Sequence, residues 1–266
     1  MKKKMYFILG LLLMLASVKA QQKVTAANPG RALKIMSYNI HHANPPSKPD
    51  LIDIDAIAKV INHSKADVVA LQEVDKYTKR SGNIDEAKEI AMKTGLHYQF
   101  FKAINHDGGE YGLAILSRFP LKKIKLIPLP QEIKAEERIL AYVTLKIGKG
   151  QRLVFANTHL DATRTHENRN LQMKQIMAEL SRISLPVVLC GDLNSVAGSD
   201  AINLLDTQFK RTCLTNCAGT VPQINPRRTI DYIATKNLNW MLTSYEVIEE
   251  TYASDHRPIA ATFNLE

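Results

Sequence analysis

Aromatic residues are scarce in this chain, at 6% with a single Trp. That leaves little surface on which nucleic-acid bases could stack. Cysteine is scarcer, with three among 266 residues, which argues against a disulfide scaffold or a thiolate zinc cluster. There is no internal repeat, no low-complexity tract and no linker long enough to divide the chain, so solenoids, propellers and arrays are excluded. One long apolar run stands at the N-terminus, in "MKKKMYFILGLLLMLASVKAQQ". Lysines precede it and "VKA" offers a small-residue cleavage site after Ala20, the pattern of a secretory signal peptide rather than a membrane span. The expected organisation is a signal peptide over 1–20, a flexible lead-in over 21–31 and one domain over 32–266. The expected product is an exported monomer, periplasmic or extracellular, with no transmembrane anchor after cleavage.

The formal charge of +9 overstates the basicity of such a product. Residues 1–20 hold Lys2, Lys3, Lys4 and Lys19 and no acid, so their removal takes +9 to +5. A modest positive excess suits an anionic ligand without identifying nucleic acid. Cys190, inside the apolar run "PVVLC", reads as an inert core residue. Cys213 and Cys217, in "RTCLTNC", either pair locally in an oxidising compartment or stay free; spacing alone does not decide.

Hydrophobic periodicity gives the elements. "RALKIMSYNI" and "DVVALQEV" read as strands, and "DIDAIAKVINHS" as a helix with Ile54, Ile57, Ala58 and Ile61 on one face. "IDEAKEIAMKTG" is a second helix that Gly95 ends. Strands follow near 97–103, 112–118, 121–128, 138–147 and 151–160. In "RILAYVTLKI" the alternation of Ile139, Ala141, Val143, Leu145 and Ile147 predicts a half-buried antiparallel strand. "THENRNLQMKQIMAELSRIS" predicts an amphipathic helix and "SDAINLLD" a short one. Strands also fall at "LPVVLCGDLN" and near 229–235, 240–249 and 258–264. Many strands with few helices predict two mixed sheets packed face to face with helices outside.

The apolar strands stop repeatedly at groups with metal, acid–base or phosphate chemistry. "LKIMSYN" stops at Asn39, "DVVALQE" at Glu73, "LVFANTH" at His159 and "VVLCGDLN" at Asp192 and Asn194, while "TIDYI" carries Asp231 and "SDH" supplies Asp255 and His256. Any one of these could cap a turn or sit in solvent. Together they predict a shared pocket, because burying so many charges without partners is costly. Oxygen-rich donors such as Glu and Asn suit a hard cation, Mg²⁺ first and Mn²⁺ second.

The ordered set "MSYNIHH", "LQEVD", "YGLAILSR", "NTHLD", "GDLN", "TIDYI" and "SDHRPI" resembles the endonuclease/exonuclease/phosphatase superfamily from about residue 33 to 264. The resemblance implies a deoxyribonuclease I-like α/β fold: a four-layer α/β/β/α sandwich of two mixed, mainly antiparallel sheets. It implies metal-dependent hydrolysis of a phosphoester. By position Glu73 resembles the principal metal ligand, with Asn39 and Asp255 beside it. His256 resembles the general base or phosphate contact, Asp231 the carboxylate that orients it, and His159 a second phosphate-facing histidine, protonated to stabilise the transition state. Asp192 and Asn194 resemble the pair that positions the attacking water and the phosphate; whether Asp192 or His256 is the base stays open. Asp255 is expected to face the metal and His256 the phosphate, as adjacent residues on a pleated strand do.

The chain departs from the family pattern in places. His41 stands where the nucleases often carry an acid, and Leu113 where relatives often have Asn. Either Glu110 or Tyr111 falls at a phosphate-binding or metal-binding position, and Arg118 is a further candidate for phosphate. The implied substrates are a phosphodiester or phosphomonoester, with DNA or a sphingomyelin-like phospholipid as alternatives. A non-catalytic binding module on the same scaffold would lack one or more of these residues.

Overall fold

A computed structural model describes residues 32–148 and 150–265. The expected signal peptide and lead-in lie outside the described residues. The chain runs β1 (Ala32–Asn39), a 3₁₀ turn (His41–Ala43), α1 (Ile54–Ser64), β2 (Val68–Lys76), α2 (Glu86–Thr94), β3 (His97–His106) and β4 (Gly109–Ser117). It continues through β5 (Lys122–Pro128), β6 (Ile139–Ile147), β7 (Gln151–His159), α3 (Glu167–Ser181), β8 (Val187–Asp192) and α4 (Asp200–Asp206). β9 (Lys210–Arg211), β10 (Asp231–Lys236), β11 (Met241–Val247) and β12 (Ile259–Asn264) close it.

The strands form two six-stranded sheets, ordered β11-β12-β1-β2-β4-β3 and β5-β6-β7-β8-β10-β9. β1 pairs parallel with β2 and β7 with β8; the other neighbours are antiparallel. One apolar layer fills the space between the sheets, with Ile35, Val68, Ile115, Val143, Phe155, Val188 and Ile259 fully buried in it. Outside the first sheet Ile57, Ile61 and Ile90 of α1 and α2 pack on Met36, Tyr38, Val69 and Leu71. Outside the second, Met173, Ile176 and Leu180 of α3 pack on Val154, Ala156 and Leu189. The result is the expected four-layer α/β/β/α sandwich.

Local chemistry sets the helix ends. Asp53 caps α1 by accepting from Ala56 N at 2.9 Å, and Asp85 caps α2 by accepting from Lys88 N at 3.0 Å, each satisfying a free N-terminal amide. Gly95, at φ +69°, ends α2 in the left-handed conformation that glycine adopts without cost. β6 differs from its predicted half-burial. Leu140 on its second face is also buried, and Tyr142 is half-buried, because α3 covers that side. Cys213 and Cys217 are disulfide-bonded, and Cys190 is buried in the central core as expected. Among the described residues no helix is long and apolar enough to cross a membrane.

A polar lock joins the sheets beside the cleft. Gln72 Nε2 donates to Asn157 Oδ1 at 2.8 Å, and Asn157 Nδ2 donates to Leu71 O and Ala114 O at 2.8 and 3.0 Å. Both amides are fully buried. Each lies one or two residues before a site residue, Glu73 or His159, so the lock fixes one sheet's site against the other's.

Candidate active site

Topology brings the strand-end residues to one rim. β1 and β2 are parallel, so Asn39 and Glu73 emerge on the same side. β12 runs antiparallel to β1, and its preceding loop, with Asp255 and His256, returns there. In the other sheet His159 pairs across β7–β8 with Asp192, and Asp192 pairs across β8–β10 with Asp231.

Backbone irregularities aim the side chains. β2 is bulged against β4 between Leu71 and Val74, and Glu73 sits there at φ +56°. That conformation is strained for a residue with a Cβ and costs about 1–3 kcal/mol. Asn194 is left-handed at φ +45°, which an Asn tolerates better than most residues. Gly191 lies against Thr158 of β7, and a Cβ there would overlap Thr158 O.

The deepest part of the site is a chain of titratable groups. His256 Nδ1 lies 2.9 Å from Asp231 Oδ2, and its Nε2 lies 3.7 Å from Asp192 Oδ2. Burial alone would pull the His256 pKa down. Asp231 and then Asp192 outweigh that and push it up to about 10, so the ring carries a proton at neutral pH. Burial, followed by repulsion from Asp231, pushes Asp192 up to about 7. Asp192 Oδ1 accepts from Asn194 N at 2.8 Å, while Oδ2 accepts from Asn39 Nδ2 at 3.2 Å and lies 3.6 Å from His159 Nε2.

His159 is not the expected imidazolium. Burial first, then Arg138 and His256, hold its pKa well below the ordinary value. Arg138 Nη1 lies 3.1 Å from its Nδ1. Asn194 Nδ2 lies 3.1 Å from its Nε2, so nitrogen donors face both sides of the ring.

On the other wall Asn39 Nδ2 donates to Glu73 Oε1 at 3.0 Å. Burial, with Asp255 adding repulsion, raises the Glu73 pKa. Ring nitrogens of His41 and His42 and a Glu73 oxygen lie within 4.8 Å of one another. His41 Nδ1 faces Asn44 O at 2.9 Å, so it carries the hydrogen and leaves Nε2 free as a donor atom. Asp255 is partly buried and lies outside that tight group, although its charge reaches Glu73. Glu73 with His41 and His42 offers one carboxylate and two imidazoles to a divalent cation, while Asn39 Oδ1 accepts from His41 N at 3.1 Å and steadies that wall.

Two further expectations change, and one open choice closes. Asp255 and His256 precede β12 rather than lying on its pleat, so strand alternation does not orient them. Ser254 does, donating from Oγ to Asn39 O at 2.7 Å and accepting from His256 N at 3.3 Å. Arg118 is not at the site. β4 runs antiparallel to β2, so its C-terminal end lies at the far rim, where Arg118 Nη1 pairs with Asp67 Oδ1 at 3.1 Å. Between Glu110 and Tyr111, Tyr111 lines the cavity beside Glu73, whereas Glu110 pairs with Lys76 and Lys102.

Sequence reasoning missed His42, Arg80, His106, Glu136 and Arg138, which share that cavity with Glu73. Arg138 was signalled only by its place directly before β6, the antiparallel partner of the strand that ends at His159.

No curated protein matches the chain. Solved structures do. An endonuclease/exonuclease/phosphatase from Beutenbergia cavernae superposes with a TM-score of 0.74 at 22% identity, covering 88% of this chain and 72% of that one. The human Nocturnin catalytic domain gives 0.71 at 20% identity, covering 88% and 93%. A Bacteroides thetaiotaomicron mannosyl-6-phosphatase gives 0.69 at 20% identity, covering 86% and 98%. At these identities the likeness carries the fold. The model of the Endonuclease/Exonuclease/phosphatase family matches residues 36–256. The chain therefore belongs to that family of metal-dependent phosphoesterases.

Proposed function

We propose that the protein is an exported, Mg²⁺-dependent hydrolase that cleaves a phosphodiester or phosphomonoester by attack of water. The observation that carries this reading is the meeting in one cleft of Glu73 with the buried Asp231–His256–Asp192 chain, the two joined by Asn39 Nδ2, which donates to Glu73 and to Asp192. Glu73, Asn39 and Asp255, with His41, would hold the cation. When bound, it supplies Lewis-acid stabilisation of the charge that develops on the phosphate oxygens.

The protein's own groups divide the remaining work. Asp192, fixed by Asn194 N and Asn39 Nδ2, takes the proton from the attacking water. His256, held at Nδ1 by Asp231, presents Nε2–H to a phosphate oxygen. His159, held between Arg138 at Nδ1 and Asn194 at Nε2, stands as an uncharged ring on the phosphate side of the cleft. Donors set in advance around a developing anion need no reorganisation during the reaction. The Cys213–Cys217 bond supports export, since disulfides persist in oxidising compartments.

A nuclease is the second reading. Arg227 and Arg228 are exposed on a loop tied to the site through Gln223 N, which donates to Asp255 O at 2.9 Å. The other basic run, Lys122, Lys123 and Lys125, follows Arg118 at the far rim.

A hydrolysis panel tests these readings. Bis-p-nitrophenyl phosphate, p-nitrophenyl phosphate, sugar and inositol phosphates, sphingomyelin and plasmid DNA are offered with Mg²⁺ and with chelator. Hydrolysis of a small phosphoester is expected with Mg²⁺ and none with chelator. Turnover indifferent to chelator removes the metal from the account, and turnover of plasmid DNA alone moves it to a nuclease.

A further inference from the structure

The second sheet carries a group of cations that the cleft does not use. In β6 Ile139, Ala141, Val143, Leu145 and Ile147 face the core between the sheets. Tyr142, Thr144 and Lys146 therefore face outward, the side on which α3 packs. Strand register supplies their neighbours. Lys125 pairs with Tyr142, Lys122 with Thr144, and Lys146 stands directly opposite Arg152 of β7.

Residues paired across a sheet share a face, so Lys122, Lys125, Lys146 and Arg152 lie together on the outer side. All four are exposed, and among the described residues none is ion-paired. Glu179 of α3 is already engaged, by the Tyr142 hydroxyl at 2.8 Å and by Arg182 at 3.8 Å. Like charges directly opposite one another destabilise a sheet. The Lys146–Arg152 pair therefore carries a cost that an external anion would relieve.

The group sits at the rim away from the cleft, because β7 runs from Gln151 beside it to His159 in the site. Gln151 Nε2 donates to Leu265 O at 3.4 Å, one residue beyond Asn264, which pairs with Ala32. Residues 1–31, with the one long apolar run of the chain, lead into the domain at this rim. Among the lysines of the edge strand β5, Ile124 is 47% and Leu126 39% exposed. Cations interleaved with aliphatics suit the headgroup boundary of an anionic bilayer. A nucleic-acid backbone has no use for the aliphatics, and Tyr142 is half-buried with its hydroxyl engaged, leaving it no role in base stacking.

We propose that this face docks on an anionic phospholipid bilayer, with the cleft turned away from the lipid toward soluble substrate. The inference goes beyond the hydrolase reading and stands independently of it.

The test is cosedimentation of the full chain with phosphatidylglycerol or phosphatidylcholine vesicles. It compares the wild type, a Lys122→Gln/Lys146→Gln/Arg152→Gln variant and an Arg227→Gln/Arg228→Gln variant of the cleft-side loop. All three carry residues 1–31, so any contribution of that segment is common to them. The wild type is expected to prefer phosphatidylglycerol and to lose the preference as salt rises. At low salt the triple variant is expected to bind it about 100-fold more weakly, roughly fivefold per cation, with a melting temperature no lower than the wild type's. The Arg227/Arg228 variant is expected to bind as the wild type does. A wild type without the preference, a triple variant that keeps it, or a loss confined to the Arg227/Arg228 variant overturns the surface. Binding of duplex DNA but not of phosphatidylglycerol vesicles overturns the lipid and makes the partner a nucleic acid.

Discussion

β2 and β4 carry polar groups at both ends, and the two ends treat them differently. At the cleft end Glu73 faces an amide, Tyr111 is buried against charged neighbours, and the Glu73 backbone is left-handed. At the far end Asp67 is satisfied by Lys34 N at 2.8 Å and by Arg118, whose side chain is 51% exposed. One end stores strain and a carboxylate with no cation beside it; at the other the largely buried Asp67 carboxylate is paired with an exposed arginine. A charged strand end marks chemistry only when burial and partners leave its charge unbalanced.

The sharpest contrast comes from activity. Asp192→Asn keeps the contact with Asn194 N but cannot accept a proton, and kcat is expected to fall about 10²–10⁴-fold. His256→Ala is expected to lose a comparable amount, measured on bis-p-nitrophenyl phosphate. Arg118→Ala should leave turnover at the wild-type level. A large loss on removing Arg118 would break the contrast between the two rims.

Stability separates the lock from the site. Asn157→Ala strips partners from Leu71 O, Ala114 O and Gln72 Nε2, and about 2–4 kcal/mol is expected to go in urea denaturation. Glu73→Gly works the other way. It releases a left-handed backbone and a half-buried carboxylate, so the fold gains about 1 kcal/mol while hydrolysis is lost. The smallest effect belongs to the far rim, where Arg118→Ala should shift stability by less than about 0.5 kcal/mol.

Much of this contrast is legible in the chain itself. The spacing of Ile54, Ile57, Ala58 and Ile61 with Asp53 before them specifies α1, because periodicity and capping agree. Asn39, Glu73, His159, Asp192, Asp231 and His256 announce themselves by ending or opening apolar runs. Arg138, Arg80 and His106 do not, since only strand pairing brings loops and strand termini from separate parts of the chain to one cavity. Arg118 misleads for the same reason: a strand-end arginine does not say which end of the sheet it occupies until the direction of β4 is known. His159 is uncharged through burial first and Arg138 second, and neither its depth nor that neighbour can be read from the strand-end motif. Gln72 and Asn157 could have been found, as an amide inside an apolar strand must have a buried partner.

Titration with Mn²⁺, read by calorimetry and by its paramagnetic signal, tests the central claim that one rim of these strands holds the catalytic cation. The wild type and Asp67→Asn should bind the ion alike, and Glu73→Gln should bind it at least tenfold more weakly. Equal binding by Glu73→Gln, or loss of the ion with Asp67→Asn, would contradict the account.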